Sequence, residues 1–389
     1  MTAIEIADGV AALPRDEWDA LVGDGSPFLE WDWLASLEES GAVGPGTGWE
    51  SRPLVARRDG RLVAACPLYL KGHSEGEFVF DFAWADAAQR GGIAYYPKLL
   101  VGVPFTPVAG QRILTARGED RRAWLRAFGE TLRETCLGNE LSSVHVNFCP
   151  GDEVGPLEES GFVRRLGLQY QWRNEGYDSF GDFLSRFRSK RRNQIVRERR
   201  EVRAAGVAIE VLEGDAIPDA LFPPMFRIYR STVRNNPWGR QYLNERFFGL
   251  LRERFRRRLC FVVARVGGDV VAGTVNVRKG PALYGRYWGA LREIRHLHFD
   301  VCYYTAVEHC IAEKLERFEP GAGGDFKQVR GFDAQPTWSA HFVADPRLAR
   351  AVSHHLAAER AEVERGIAWI REQSALKPEP AGSGDRAGP

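Results

Sequence analysis

Three stretches of the chain gather side chains that could do chemistry. In the first, His296, His298 and Asp300 alternate, and Tyr303 and Tyr304 follow directly. Histidine titrates near neutral pH, so His298 is a candidate general base, and His298 with Asp300 could orient a substrate amine. Asp300 could equally cap the helix that follows. Tyr304 could protonate a leaving group, and Tyr303 could contact a substrate, although a buried tyrosine with a satisfied hydroxyl is the commoner role. No third or fourth ligand accompanies the H-x-H-x-D run, so a metal site is not expected there.

In the second stretch, Lys327 and Arg330 lie beside an irregular segment containing Gly321, Gly323 and Gly324, and Ser339 and His341 come shortly after. Polar residues in a glycine-rich loop point to a site rather than to core. Lys327 or Arg330 could hold an oxyanion, a carboxylate or a phosphate. His341 is a second candidate base, and Ser339 a candidate substrate contact. No Gly-x-Ser-x-Gly elbow is present, so a covalent serine mechanism is not expected. Cys302 sits in an apolar run, where a buried free thiol is the plain reading.

The third stretch is basic: Arg186, Arg188, Lys190, Arg191 and Arg192, then Arg197, Arg199, Arg200 and Arg203. Only Glu198 and Glu201 answer these nine cations within the run. Guanidinium forks match phosphate geometry, so Arg188, Lys190, Arg191, Arg192 and Arg197 are candidate phosphate contacts. The alternative is a solvated helix face with i,i+3 and i,i+4 pairs.

An internal repeat supplies the elements that must position these groups. Leu54–Gly72 (LVARRDGRLVAACPLYLKG) aligns without a gap to Val262–Gly280 (VVARVGGDVVAGTVNVRKG). The two match at roughly eight of about nineteen positions. Each alternates apolar and polar residues around a turn, Asp59-Gly60 or Gly267-Gly268, which predicts a β-hairpin. A helix is expected before each hairpin. The first runs from an N-cap at Ser26 through Pro27 to a stop at Gly41; the second covers Tyr242 to Arg258, opened by Asn236-Pro237-Trp238-Gly239. Aromatic strands are expected after the hairpins, at Phe78–Trp84 and Leu283–Gly289, and helices after those, at Arg121–Cys136 and Val301–Arg317. Alternation along the second aromatic strand puts Arg286 and Trp288 on one face and Tyr287 on the other. Further strands are expected at Ser143–Phe148 and Leu168–Trp172, and Asp345-Pro346 opens a long helix reaching about Ala375.

The reading is an α/β protein of two acetyltransferase-like units, each a twisted mixed sheet flanked by helices. The first unit spans residues 1–175 and the second 176–375, the latter carrying the donor and catalytic site; a Pro/Gly-rich tail, 376–389, is expected to be disordered. A chain of 389 residues suits two cores. Net charge is +1, so any polyanion must be held by a local patch. The six cysteines show no CxxC pairing, the N-terminus does not read as a secretory signal, and no run has the length of a membrane span. A cytoplasmic protein without stable membrane insertion is expected.

Several longer motifs carry a family resemblance. YWGALREIRHLHFDVCYYTAVEHCI followed by GAGGDFKQVRGFDAQPTWSAHF, the segment VPFTPVAGQRIL, and SPFLEWDWLASLEESG resemble the FemAB-like family, described as peptidoglycan biosynthesis or recognition proteins. The resemblance implies a tandem acetyltransferase fold of the GNAT superfamily. It also implies transfer of an amino acid from aminoacyl-tRNA onto an amine, of a cell-wall precursor or of a small natural-product amine or hydroxylamine, with no tightly bound cofactor. The basic run resembles the S-K-x-R-x-x-I segment of Fem proteins, and so becomes a candidate tRNA contact. Thr106 and Arg112, in the PFTP-x-x-G-x-R segment, become candidate acceptor contacts in a groove between units, or else a rigid packing element. In an acetyltransferase-like sheet the strand carrying Arg286, Tyr287 and Trp288 lines the acyl site. Neither half carries the Q/R-x-x-G-x-G/A turn that wraps CoA pyrophosphate. An acyl-CoA-dependent N-acyltransferase is therefore the alternative enzyme, and a non-catalytic binder of cell-wall or lipid-linked precursors the alternative outside enzymes.

Overall fold

A computed structural model of the chain describes residues 3–234 and 240–377. The Asn236-Pro237-Trp238-Gly239 breaker and residues 378–389 of the expected tail lie outside the described residues. Fifteen strands are present among those described. They are β1 (Ile4–Ile6), β2 (Trp49–Ser51), β3 (Leu54–Arg58), β4 (Arg61–Cys66), β5 (Leu68–Lys71), β6 (Lys98–Val101), β7 (Leu114–Thr115), β8 (Ser143–Cys149), β9 (Val163–Arg173), β10 (Ala208–Glu213), β11 (Leu259–Val266), β12 (Asp269–Lys279), β13 (Ala282–Ala290), β14 (Arg317–Glu319) and β15 (Asp333–Val343).

Eleven of them form one sheet in the order β10-β11-β12-β13-β14-β9-β15-β8-β6-β5-β2. The parallel neighbours are β13 with β14 and β6 with β8, one pair in each half of the chain. The halves exchange their last strands. β9, from the first half, pairs with β14 of the second, and β15, from the second half, pairs with β8 of the first. β9 and β15 also pair with each other along nine residues. Neither half therefore completes its sheet alone.

The repeated hairpins form as their turns require. Asp59 and Gly60, and Gly267 and Gly268, all take positive φ, as a tight two-residue turn between twisted strands demands. The halves then diverge at one aligned position. In the first, Pro67, which has no N–H, separates β4 from β5, and β3–β4 joins β1 and β7 in a small second sheet. In the second, the corresponding Val275 keeps β12 continuous, but the register to β13 slips between Val275 and Asn276.

Helices cover the sheet. Arg121–Gly138 and the long Pro346–Glu372 form near their expected limits, the latter capped by Asp345 Oδ1, which accepts from the Arg347 and Leu348 N–H groups. Four expectations need correction. Phe78–Trp84 is not a strand: Phe82–Arg90 is a helix that buries Trp84 and Ala88, four residues apart on one face. The first helix starts at Trp31, after a tight Pro27–Leu29 turn, and Ser26 makes no cap. Glu30 takes the position before that start, and its buried carboxylate pairs with Arg257, Arg258 and Lys279 rather than capping the helix. The expected Tyr242–Arg258 helix begins at the Asn244 cap, and opens into a wide turn over Leu251–Phe255. The Val301–Arg317 helix is likewise a wide turn, Asp300–Tyr304, then a helix over Thr305–Ala312; the chain is strand again by Arg317. In the tail, Leu376 bridges to Phe187, and the Lys377 N–H donates to the Arg186 carbonyl. Among the described residues no helix is long and apolar enough to cross a membrane.

Candidate active site

β13 and β14 run together only from Ala282 to Tyr284, against Arg317 to Glu319. β13 then continues to Ala290 while the other chain leaves the sheet at Pro320. A cavity of about 290 Å³ opens in the split. Its walls are the Gly285–Trp288 stretch of β13, Thr274 and Asn276 of β12, His298, Cys302 and Tyr303, and the Pro320–Lys327 loop.

Strict alternation would turn Tyr287 away from this cavity. The slip in register opposes Tyr287 to Val275 and Gly285 to Asn276, leaving Arg286 as the extra residue of a β-bulge. The bulge puts Arg286 beside Tyr287, toward Phe28 and Tyr229, and Trp288 on the opposite face against His298; all three border the cavity, and the residue that shares a face with Arg286 is Tyr287, not Trp288 as alternation predicts. Behind the bulge, Gly289 lets the Phe222–Arg234 helix lie directly on β13; a Cβ there would fall 1.9 Å from the Ile228 carbonyl oxygen.

Three nitrogen groups face this space. Lys327 Nζ donates to the carbonyl oxygens of Gly321 (2.6 Å) and Ala322 (3.3 Å), which leaves its third N–H unassigned. Burial lowers its pKa to about 8. Arg286 donates through Nη2 to the Phe105 carbonyl, tying the cavity to the first half of the chain. His298 sits among the rings of Trp288 (4.9 Å), Tyr303 (5.5 Å) and Phe326 (5.7 Å). Burial, with the Arg330 and Lys327 cations adding to it, brings His298 down to about 4, so its imidazole is neutral at pH 7. Burial pushes the Tyr303 hydroxyl and the Cys302 thiol well up; Tyr303 stays protonated, and Cys302 is a poor nucleophile.

Beneath the cavity lies a polar layer. Arg330 donates through Nη1 to the Phe326 carbonyl (2.9 Å) and through Nε to the Tyr304 hydroxyl (2.9 Å); its guanidinium carbon lies 3.5 Å from the centre of the Phe299 ring. The Tyr304 hydroxyl donates to Glu198 (2.5 Å), and Arg330 Nη2 reaches the same carboxylate at 3.3 Å. Burial raises the Glu198 pKa, but hydrogen bonds from Tyr304 and Gln194 and the Arg330 charge outweigh it and hold the carboxyl below its ordinary range. Asp300 accepts from Arg199 Nε (3.1 Å) and from the Thr305 hydroxyl, not from His298. Glu198 and Arg199 belong to the Ser189–Ala204 helix. Its inner face thus braces the cavity wall, while Lys190, Arg197 and Arg200 line an open groove on its outer face. Arg188 is exposed at the helix start, beside a separate hollow. Arg191 donates to Gln194, and both Arg191 and Arg192 are half-buried.

The expected site residues therefore divide. Arg286, Tyr287, Trp288, His298, Tyr303 and Lys327 meet on one cavity. Asp300, Tyr304 and Arg330 lie under it. His341 is elsewhere, on β15 against β8. Its Nδ1 lies 2.7 Å from His145 Nδ1 and its Nε2 2.8 Å from Ser339 Oγ. It is buried, and burial drives its pKa well below the ordinary histidine value. Arg112 is wholly buried, with Nε on the Asn147 carbonyl (2.6 Å), Nη1 on Gly110 (2.9 Å) and Nη2 on Val108 (2.6 Å). The Thr106 hydroxyl donates to the Pro104 carbonyl. The segment from Val103 to Arg112 thereby packs where β6 and β8 part, the first half's counterpart of the cavity.

The sequence reading passed over Thr274, Asn276 and Phe326. Two polar residues at i and i+2 in the apolar run Val270–Val277 were the available signal, since a central strand buries such groups only where they have partners. Asn276 Nδ2 donates to the Cys260 carbonyl and to Thr274 Oγ1. Away from the cavity, Glu213, Cys260 and His309 bring possible metal-ligand atoms within 4.8 Å of one another. The Glu213 carboxylate there already pairs with Arg278 (2.6 Å) and His309 (2.7 Å).

The family model described as peptidoglycan biosynthesis/recognition, FemAB-like, matches residues 9–378. The chain belongs to the FemAB-like family. Among solved structures, FemX is similar at 12% identity and a TM-score of 0.56, over 88% of this chain and 98% of that one. L-PGS from Bacillus licheniformis is similar at 9% identity and a TM-score of 0.53, over 90% and 97%. The C-terminal domain of a putative lysylphosphatidylglycerol synthetase from Agrobacterium fabrum is similar at 11% identity and a TM-score of 0.53, over 88% and 95%. These likenesses show a shared fold. No curated protein sequence matches the chain. As a FemAB-like protein the chain is an acyltransferase.

Proposed function

We propose that this FemAB-like protein transfers an aminoacyl group from aminoacyl-tRNA to the amine of an acceptor, a cell-wall precursor or a small amine, in the cavity at the β13–β14 split. The observation that carries the reading is the convergence there of Lys327, Arg286 and a neutral His298. The attacking nitrogen bonds to the ester carbonyl carbon, and the carbonyl π electrons move to oxygen. Lys327 and Arg286 offer cations to that oxyanion, a contribution of about 10²–10³ in kcat for one well-placed donor. Forming the C–N bond acidifies the amine proton, and His298 takes it. A base near pKa 4 suits that late, acidified proton and not a free ammonium, so the acceptor must arrive as the free amine. Collapse breaks the bond to the ribose oxygen, which leaves with a proton; Tyr303, held protonated on the same wall, is the candidate to supply it, and the proton that His298 took from the amine restores the Tyr303 hydroxyl.

Two features favour a phosphate-rich donor carrier over acetyl-CoA. The groove beside the cavity-bracing helix carries Lys190, Arg197 and Arg200. The loop after β13 lacks the glycine pattern that wraps CoA pyrophosphate. The test offers the purified protein radiolabelled aminoacyl-tRNA pools and acetyl-CoA separately, with a panel of amines. Amide formation from aminoacyl-tRNA is expected; transfer from acetyl-CoA alone would overturn the donor assignment.

A further inference from the structure

We infer that a second chamber, bordering the donor cavity at one shared loop, seats the acceptor, and that it selects an amine with an uncharged, apolar or aromatic body. The inference rests on the transfer reading above and adds the acceptor's chemical class to it.

The chamber has a volume of about 260 Å³ and shares Ala322 and Gly323 with the donor cavity. Both shared residues belong to the loop that leads to Lys327, and the acceptor so seated has its body in the chamber and its nitrogen at that loop. Its remaining walls come from both halves of the chain: β9, β15, the Phe78–Phe80 segment and the Pro346–Glu372 helix. It sits among the strands that the halves exchange.

Its charges are already paired with each other. Arg165 donates through Nε and Nη2 to Glu359 (2.8 and 2.7 Å) and through Nη1 to the Phe80 carbonyl (2.8 Å). The Ser339 hydroxyl is held by His341. No lining side chain is an unpaired cation that could meet a phosphate or carboxylate. The apolar part of the lining is Phe78, Phe80, Phe148, Leu168, Trp338 and Val363, and the uncharged Gln169 and Thr337 complete it.

The backbone marks the same place. Among the described residues seven non-glycine residues take positive φ. Asp59, Glu140 and Lys314 end strands or helices, where such turns are routine. Three of the others are phenylalanines, a residue type that seldom adopts this conformation: Phe78 (φ 61°), Phe105 (φ 57°) and Phe148 (φ 56°). Phe78 and Phe148 both line the chamber. Bulky side chains held in a strained conformation on a cavity wall are what a shaped binding surface requires. Phe80, 65% exposed and stacked on Phe82 at 6.1 Å, stands at the rim as an aromatic platform. A highly charged acceptor finds no partner in this chamber; a flat or aliphatic body does.

The test compares phenethylamine with 2-(tetrahydropyran-4-yl)ethylamine, two primary amines of like size that differ chiefly in the polarity of the ring, as acceptors for the intact protein. kcat/KM for phenethylamine should be higher by about tenfold or more. Phe80→Ala, a surface change, should raise the phenethylamine KM about fivefold and leave the donor KM unchanged. Val363→Trp, which fills the chamber, should raise it further, with circular dichroism to confirm the fold. Equal kcat/KM for the two amines, or an unchanged phenethylamine KM in Phe80→Ala, would overturn the inference. Phenethylamine binding without donor, followed by ligand-detected NMR, separates the two readings. Binding that is lost in Val363→Trp, with no transfer from any donor, would uphold the chamber and sink the transfer reading. Transfer that proceeds while this binding is absent would do the reverse.

Discussion

Arg330 and Glu198, 132 residues apart in the chain, meet at 3.3 Å beneath the cavity floor. The pair joins the helix with the basic outer face to the turn that carries Lys327. Arg330 holds the carbonyl of Phe326, the residue before Lys327, so the position of the Lys327 ammonium depends on a carboxylate on another element.

Removing that carboxylate leaves a buried guanidinium without its counter-ion, a change that costs about 3–5 kcal/mol in typical buried pairs. Glu198→Ala should therefore lower the urea midpoint strongly. Glu198→Gln, which keeps the shape and the Tyr304 contact, should lower it less while still reducing kcat by about tenfold through a displaced Lys327. Equilibrium unfolding alongside single-turnover rates checks both. An unchanged kcat in Glu198→Gln would show that the brace does not position Lys327.

Lys327 should set the alkaline limb of activity. Its pKa of about 8 means that the cation which would face the oxyanion is lost as pH rises through that value. At saturating acceptor, kcat should fall above about pH 8, and Lys327→Arg should move that limb beyond the accessible range because a guanidinium stays charged. The same shift has a stability counterpart. A lysine whose folded pKa lies below its unfolded value of about 10.4 penalises folding below pH 8, and the penalty is relieved between pH 8 and 10.4. Urea unfolding of wild type against Lys327→Met over that window should show wild type gaining relative stability as pH rises.

The His145–His341 pair predicts acid lability without loss of chemistry. Burial holds both neutral in the fold, His145 at about 3 and His341 well below its ordinary value, with Asp81, Lys98 and Arg165 the charged groups around them. In the unfolded chain both protonate below about pH 6.5. The folded state therefore binds fewer protons than the unfolded state there, and stability falls as pH drops. The two sites together should cost about 2.5 kcal/mol between pH 7 and pH 5.5. The double variant His145→Asn/His341→Asn should flatten that slope, and its kcat at pH 7.5 should match wild type. A kcat loss of a hundredfold would return His341 to the reaction.

The outer face of the Ser189–Ala204 helix should govern donor affinity alone. Lys190→Ala/Arg197→Ala/Arg200→Ala should raise the aminoacyl-tRNA KM by tenfold or more, with about two units less slope in log KM against log salt. These side chains line an open groove, so the thermal midpoint should hold. An unchanged KM would make this face a solvated surface.

Local chemistry made much of this legible in the sequence. Two-residue turns at Asp59-Gly60 and Gly267-Gly268 announce hairpins wherever they sit, and Asp345-Pro346 caps a helix by itself. The glycine-rich loop announced Lys327 and Arg330 together, yet the two differ in role. Lys327 lines the cavity and Arg330 lies under it, and only the packing of Phe299, Tyr304 and Glu198 decides which is which. Strict alternation failed at Arg286 because a bulge depends on the neighbouring strand's register, which no pattern within β13 records. His341 looked chemical because histidine is so often reactive; β8, nearly two hundred residues earlier, supplies the His145 that makes it core. Phe78–Trp84 read as a strand because its apolar residues are dense, while the Trp84–Ala88 spacing that makes it a helix extends past the stretch that looked aromatic.

The most direct test is the single-turnover rate of amide formation from radiolabelled aminoacyl-tRNA and a saturating amine, for wild type and Lys327→Ala. The cavity at the β13–β14 split predicts transfer by wild type and a fall of about 10²–10³ in the variant, with the fold intact by circular dichroism. A Lys327→Ala rate equal to wild type, or no transfer from aminoacyl-tRNA by wild type, would contradict it.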